Sequence, residues 1–332
     1  HAMPDTQRNY VDGSWTESET GETFEVNDPA DPSETVNTYQ ESSKEDAQQA
    51  VEAAAAAQAE WEKTPGPNRG TILRKAGSIL EDRKEEVTDL LVAEEGKARG
   101  EASGEVQRAI DIFHYFSGKA SDLKGTVKAP SARNKNLYTR KEPVGVAGLI
   151  TPWNYPIAIP AWKIAPALTA GNSVVIKPAS MAPGVVLEIA KALDEAGLPD
   201  GVLNVVTGPG STVGDEFINN DAIDAVSFTG SSQVGEMVYD DATDAGKRVQ
   251  TELGGKNPTI VAESADPEEA AEIVASGGFG TTGQSCTACS RAVVHESNYD
   301  EFVDALVEEA ESIDIGPGND HEMGPQVSQD EL

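Results

Sequence analysis

Alanine and other apolar residues recur at helical spacing over residues 43–63, and Ser43-Lys-Glu-Asp46 has the form of a capped start. The pattern predicts a helix that ends before Pro65-Gly-Pro67. An amphipathic run at 69–83 predicts a second helix. Helical character continues over 84–120, with interruptions expected at Gly96, Gly100 and Gly104. Ahead of these, residues 8–40 are polar, turn-rich and weakly alternating, as in Tyr10-Val-Asp-Gly-Ser-Trp15 and Asn27-Asp-Pro-Ala-Asp-Pro32, which predicts short strands joined by turns. Residues 124–141 turn polar and β-prone again, as a projecting hairpin would.

A regular rhythm follows. Val144-Gly-Val-Ala-Gly-Leu-Ile150, Ser173-Val-Val-Ile176, Val202-Leu-Asn-Val-Val206 and Ala225-Val-Ser-Phe228 are short apolar runs, each followed by a Gly, Pro, Ser or Thr turn and then a helical stretch. Apolar runs joined by helices predict a parallel sheet buried on both faces, with ligands at the carboxyl ends of its strands. Beyond Glu252, Pro258-Thr-Ile-Val-Ala262 predicts a further strand opening a second α/β unit that holds both cysteines, Cys286 and Cys289.

Charge removes whole classes of partner. The chain has 57 acidic and 25 basic residues and a formal net charge of -32, which argues against nucleic acid or an anionic membrane as a partner. The acids are spread along amphipathic segments without a long block, and 38% of the 332 residues are hydrophobic, so the chain is expected to fold. Such a surface suits high salt, where its self-repulsion is screened; an ordinary acidic protein is the alternative. The length suits two or three domains. No apolar run approaches the roughly 20 residues of a membrane span and no signal peptide opens the chain, so a soluble, cytoplasmic protein is expected, with His1-Ala2 a remnant ahead of Met3. Two cysteines are too few for a disulfide scaffold.

The turns after the predicted strands carry the candidate chemistry. Thr151-Pro-Trp-Asn-Tyr-Pro156 sets an amide between prolines, which either holds a hydrogen-bond donor still or makes a rigid loop around a buried tryptophan. Lys177, in Ile176-Lys-Pro-Ala-Ser180, puts a cation at a strand end where a ribose or phosphate could meet it, or is a surface lysine. Gly208-Pro-Gly-Ser-Thr-Val-Gly214 and Phe228-Thr-Gly-Ser-Ser-Gln-Val-Gly235 are glycine-rich turns able to bring backbone N–H groups to a pyrophosphate, though neither has the strict G-x-G-x-x-G order. Glu252, in Thr251-Glu-Leu-Gly-Gly-Lys256, is either a general base or one more solvated acid. Cys286 and Cys289 share a C-x-x-C spacing that allows a metal half-site, a redox pair, or one catalytic thiol with a neighbour. Zinc lacks a second pair of ligands, since the histidines are only His1, His114, His295 and His321, and no metal is expected.

Taken in order, P-W-N, K-P-A-S, the glycine-rich turns, F-T-G-S, E-L-G-G-K and G-Q-S-C resemble the aldehyde dehydrogenase superfamily from Tyr10 to about Val327. The resemblance implies an α/β fold with a Rossmann-type parallel-sheet cofactor domain, residues 3–123 and 142–252, and an α/β catalytic domain over 253–332 that is C-terminally incomplete. The hairpin at 124–141 would belong to an oligomerisation unit. It also implies that Cys286 attacks the aldehyde, that Asn154 and the Cys286 N–H stabilise the oxyanion, and that Glu252 activates water to hydrolyse the thioester. Thr151, Pro152, Trp153, Lys177, Ser180, Gly210, Gly214, Thr229, Gly230, Ser231 and Leu253 match cofactor-binding positions. Ser180 stands where relatives strict for NAD often carry a glutamate, so NADP is expected to be accepted, with NAD also possible.

Residues 197–214 and 282–291 look most like 2-oxoglutarate semialdehyde (2,5-dioxopentanoate) dehydrogenases, with succinate semialdehyde and short neutral aldehydes such as glycolaldehyde or lactaldehyde as alternatives. A carboxylated substrate needs a basic anchor, for which Arg291 and Lys163 are candidates. Relatives continue past Leu332 with an E-[IV]-F-G-P motif and a last strand of the oligomerisation unit, so a homo-oligomer is expected of the full-length pattern. A catalytically silent relative and a C-x-x-C redox module are the readings from other classes. Cys289 is expected to be a small buried residue, with a resolving thiol as the alternative.

Overall fold

The structure, a computed structural model, describes residues 6–331. β1 (Asn9–Val11) and β2 (Ser14–Thr16) form a hairpin across Asp12 and Gly13, whose φ values of 51° and 70° give the twist a two-residue turn needs. β3 (Thr23–Asp28) and β4 (Asp31–Gln40) make a second antiparallel pair. α1 (Lys44–Trp61) starts at the expected capping box, Ser43 with Asp46, and buries Ala47, Ala50, Val51 and Ala54. α2 (Gly66–Asp82), α3 (Lys84–Glu95) and α4 (Arg99–Lys119) follow.

Of the three expected interruptions only Gly96 breaks a helix, capping α3 in the left-handed region at φ 90°. Gly100 and Gly104 lie inside α4, where an added Cβ would meet open space. Their cost of roughly 1 kcal/mol each is outweighed by the buried stripe of Ala102, Val106, Ala109, Ile110 and Phe113. β5 (Val127–Lys128) and β6 (Leu137–Tyr138) form the hairpin that the sequence predicts, and it is exposed throughout.

The central unit runs β7 (Val146–Ile150), α5 (Ala158–Thr169), β8 (Ser173–Lys177), α6 (Gly184–Glu195), β9 (Leu203–Val205), α7 (Asp215–Asn219), β10 (Ala225–Thr229), α8 (Ser232–Asp244) and β11 (Arg248–Glu252). The sheet order is β11-β10-β7-β8-β9-β1-β2, parallel from β11 to β9 and antiparallel beyond. Every residue of β7 and β8 is buried, as expected of strands covered on both faces. The chain steps outward from β7 to β8 and β9, then returns to the other side as β10 and β11. The crevice for a ligand therefore opens between β7 and β10, at the carboxyl ends of the strands.

β12 (Asn257–Val261), α9 (Pro267–Phe279), β13 (Cys289–Val294) and α10 (Tyr299–Ser312) complete the set. β12 and β13 pair in parallel, and Val261, Ala271, Val274 and Phe302 form a small core of their own. The opposite face of this pair leaves Ile260 and Val293 exposed. Among the described residues no helix is long and apolar enough to cross a membrane.

Candidate active site

The loop after β7 holds Asn154 between Pro152 and Pro156 and leads into α5. Asn154 Nδ2 donates to the Gln284 carbonyl at 2.8 Å. The next side chain reaches the same segment: the Tyr155 hydroxyl lies 3.3 Å from Thr281 Oγ1 and 3.3 Å from Ser285 Oγ. These bonds tie the loop after β7 to the residues just before Cys286.

That segment is coiled in an uncommon way. Thr281, Thr282 and Gly283 are consecutively left-handed, with φ values of 53°, 58° and 71°. For a β-branched residue this costs about 1–3 kcal/mol. Neighbours hold it in place: the Thr281 N–H donates to Glu101 Oε1 at 2.7 Å, Gln326 Nε2 donates to the Thr282 carbonyl at 2.9 Å, and the Val327 N–H donates to Gln284 Oε1 at 3.0 Å. The coil delivers Cys286 as an exposed thiol lining a cavity of about 520 Å³ with Glu101, Arg108, Tyr155 and Trp162.

Arg108 escapes the sequence reading. It is exposed in α4 and has no carboxylate within ion-pair distance among the described residues, which leaves its guanidinium available to a ligand anion. The signal was present as a stripe: Glu101, Gly104, Glu105 and Arg108 recur at i, i+3, i+4 and i+7 and all line the cavity. The two anchors proposed from sequence lie elsewhere. Lys163 is buried and donates from Nζ to Ser227 Oγ at 2.6 Å; burial pushes it down to about 8, against the upward pull of Glu252. Its cation faces β10, since α5 packs that side chain onto the sheet. Arg291 stands on β13 and donates to the Lys256 carbonyl at 3.1 Å, outside the cavity lining.

The cofactor candidates gather along the carboxyl ends of the strands. Lys177 ends β8, and its buried Nζ donates to the carbonyls of Pro178 at 2.8 Å and Gly208 at 3.1 Å; burial pushes it down to about 8. Ser180 Oγ donates to the same Gly208 carbonyl at 3.3 Å. Gly210 and Gly214 bound a π-helical turn, and a Cβ on either would touch the Lys177 stem, at 3.8 and 3.9 Å. Thr151 ends the β7 edge of the crevice with its hydroxyl buried and unpaired among the described residues, beside half-buried Pro152 and Trp153.

Across the switch point, Thr229 ends β10, the Gly230 N–H donates to the Glu252 carbonyl at 3.1 Å, and Ser231 caps α8. Leu253 packs over the first turn of α8, where a Cβ on Gly235 would stand 2.1 Å from its Cδ2. Glu252 is exposed at the end of β11, within 3.5 Å of Gln250, and is absent from the cavity lining around Cys286. A second cavity of about 530 Å³, between β3 and residues 325–329, includes Ser180 and none of the residues around the thiol.

Cys289 is the first residue of β13. Its Sγ accepts from Thr259 Oγ1 at 3.1 Å, and its side chain packs against the core of the β12 and β13 pair.

The aldehyde dehydrogenase family pattern matches residues 15–332. An alpha-ketoglutarate semialdehyde dehydrogenase of Haloferax volcanii is 74% identical over 330 residues, which cover 99% of this chain and 68% of the relative. The solved structure of a 3,6-anhydro-L-galactose dehydrogenase in complex with NAP superposes with a TM-score of 0.94 at 37% identity, covering 98% of this chain and 68% of that one. The NAD+ complex of an aldehyde dehydrogenase from Bacillus cereus superposes with a TM-score of 0.95 at 35% identity, covering 98% and 67%. The chain thus spans about two thirds of the length of each. A strand-end crevice, an exposed cysteine two residues beyond a carbonyl that an asparagine amide bonds, and a match along nearly all of its length lead to one conclusion: the chain belongs to the aldehyde dehydrogenase family.

Proposed function

We propose that this chain oxidises 2-oxoglutarate semialdehyde to 2-oxoglutarate, with NADP as acceptor and NAD as the second choice. The observation that carries the chemistry is the Asn154 amide, fixed through one N–H to the carbonyl of Gln284, two residues before the exposed Cys286, with a second N–H to spare. Cys286 attacks the carbonyl carbon as thiolate, and the oxygen becomes an oxyanion that Asn154 Nδ2 and the Cys286 backbone N–H stabilise. The strand-end crevice suits a dinucleotide, and Thr151 keeps a buried hydroxyl there that is unpaired among the described residues. A dinucleotide held at the strand ends by residues such as Lys177, Ser180 and Ser231 would supply the hydride acceptor, and once hydride has left the substrate carbon Cys286 holds the acyl group as a thioester. Glu252 then removes a proton from water, the hydroxide adds to the thioester, and the carbon–sulfur bond breaks to give the carboxylic acid.

Arg108 supports the substrate assignment, because the far end of 2-oxoglutarate semialdehyde is a carboxylate and the cavity presents a guanidinium with no carboxylate partner among the described residues. The name of the 74% identical relative points to the same compound. Ser180 supports NADP, since no side-chain carboxylate there repels a 2′-phosphate. Residues 3–123 and 142–252 form the cofactor domain in this reading, and 253–332 form part of the catalytic domain. The exposed β5 and β6 hairpin serves a homo-oligomer, and the enzyme works in a cytoplasm of high salt. The test is reduction of both cofactors with carboxylated and neutral aldehydes, in the parent chain and in Cys286→Ala. The expected outcome is activity lost in the variant and a kcat/KM about 100-fold higher for the carboxylated aldehyde. A preference for NAD above about tenfold sinks the NADP assignment.

A further inference from the structure

Against the Asn154 loop lies a buried ion pair that the reaction scheme leaves unused, although one of its members, Glu105, also borders the thiol cavity. Lys97 is 1% exposed and Glu105 6% exposed. Lys97 Nζ donates to Glu105 Oε2 at 2.6 Å and to the Asn154 backbone carbonyl at 2.7 Å. The other oxygen, Glu105 Oε1, accepts the N–H groups of Ile157 at 3.0 Å and Ala158 at 3.1 Å. The pair therefore grips the turn at 154–158 at both ends. Lys97 Nζ also sits 4.6 Å from the centroid of the Tyr155 ring, whose hydroxyl meets Thr281 and Ser285.

Stability alone does not explain such a pair. Taking two charges out of water costs about as much as their attraction returns, and apolar residues of similar size commonly do as well. What a pair of this kind does supply is a fixed direction, and an amide displaced by about 1 Å loses most of its effect on a developing charge.

We propose that Lys97 and Glu105 are positioning residues for the Asn154 amide. Their ion pair fixes the peptide plane between Asn154 and Tyr155, so that Nδ2 meets the oxyanion formed when Cys286 adds to a carbonyl. This rests on the thiol and amide roles given under the proposed function.

Two reactions of the same thiol separate positioning from a general loss of structure. With p-nitrophenyl acetate the Cys286 thiolate adds to the acyl carbon, an oxyanion forms, and p-nitrophenolate leaves to give an acetyl thioester. With iodoacetamide the thiolate displaces iodide at a saturated carbon and no oxyanion forms. Both rates are read on the Cys286 peptide by mass spectrometry. The variant Lys97→Met with Glu105→Gln removes both charges of the pair; the remaining carboxyl, Glu95 at 3.9 Å from Lys97 Nζ, is kept protonated at neutral pH by its burial, so no bare charge is left and folding is favoured. It is expected to lower acylation by about 30-fold or more and to leave alkylation within about threefold of the parent. In an Asn154→Ala background the same pair of substitutions should have almost no further effect on acylation, because the group it positions is gone. A parallel fall in both reactions, or an equal fall in acylation with and without Asn154, overturns the proposal. Acylation needs neither the cofactor nor the physiological aldehyde, so an error in either leaves the ratio untouched. A parent chain whose Cys286 is not acylated at all overturns the thiol reading and this inference together.

Discussion

Glu95 lies two residues before Lys97 and is fully buried, with Oε1 unpaired among the described residues and Oε2 accepting the Lys97 N–H at 2.9 Å. Burial raises its pKa from the usual 4.5 to about 8; Glu105 and Glu101 push the same way, and Lys97 opposes them. The folded chain thus keeps a proton that the unfolded chain releases. Its contribution to stability is complete below the unfolded value and is lost as pH rises through about 8. Glu95→Gln stays neutral throughout, so its Tm relative to the parent is expected to climb between about pH 5 and about pH 9, measured by thermal melts across that range. A flat difference removes Glu95 as the source. Arg108 and Lys163 show how far single residues were legible. Both are basic residues on helices, and only the packing shows that one lines the thiol cavity while the other is bonded to Ser227.

At the level of elements, β7, β8 and β9 stand out in the sequence because full burial makes them apolar runs bounded by turns, and β10 does so through Val226 and Phe228 on its one buried face. β11 and β13 escape that pattern. Arg248-Val-Gln-Thr-Glu252 lies at the sheet edge with alternate residues exposed, and Cys289-Ser-Arg-Ala-Val-Val294 leaves one face open. The candidate site was legible through its strand-end motifs, whereas the bracing of the Asn154 loop by α4 was not, because no local pattern records a contact between residues so far apart. The segment after α10 returns to the junction of α3 and α4, where a Cβ on Gly324 would stand 1.9 Å from the Gly96 carbonyl oxygen. Backbone cannot swing aside as a side chain does. Gly324→Ala is therefore expected to lower the unfolding free energy by about 1–3 kcal/mol, read from urea denaturation. An unchanged midpoint shows that the segment is free to shift.

For the whole molecule the governing quantity is a formal charge of -32 on 332 residues. Raising salt from about 0.1 M to about 1 M shortens the screening length from about 10 Å to about 3 Å, and the mutual repulsion of surface carboxylates shrinks with it. Tm is expected to rise by about 10 °C or more over that range with potassium chloride, and a fall or no change contradicts a fold adapted to high salt. Distance along the chain has its own effect. The bond between the Asn154 amide and the Gln284 carbonyl joins residues 130 positions apart. Non-local contacts of this kind are slow to form because the intervening chain must first be ordered. During synthesis the asparagine emerges long before the cysteine, and the sheet that carries it can assemble first. The bond that joins the asparagine loop to the segment before the thiol is therefore expected to form late, and until it does the cysteine stands without the amide that the finished site bonds two residues ahead of it.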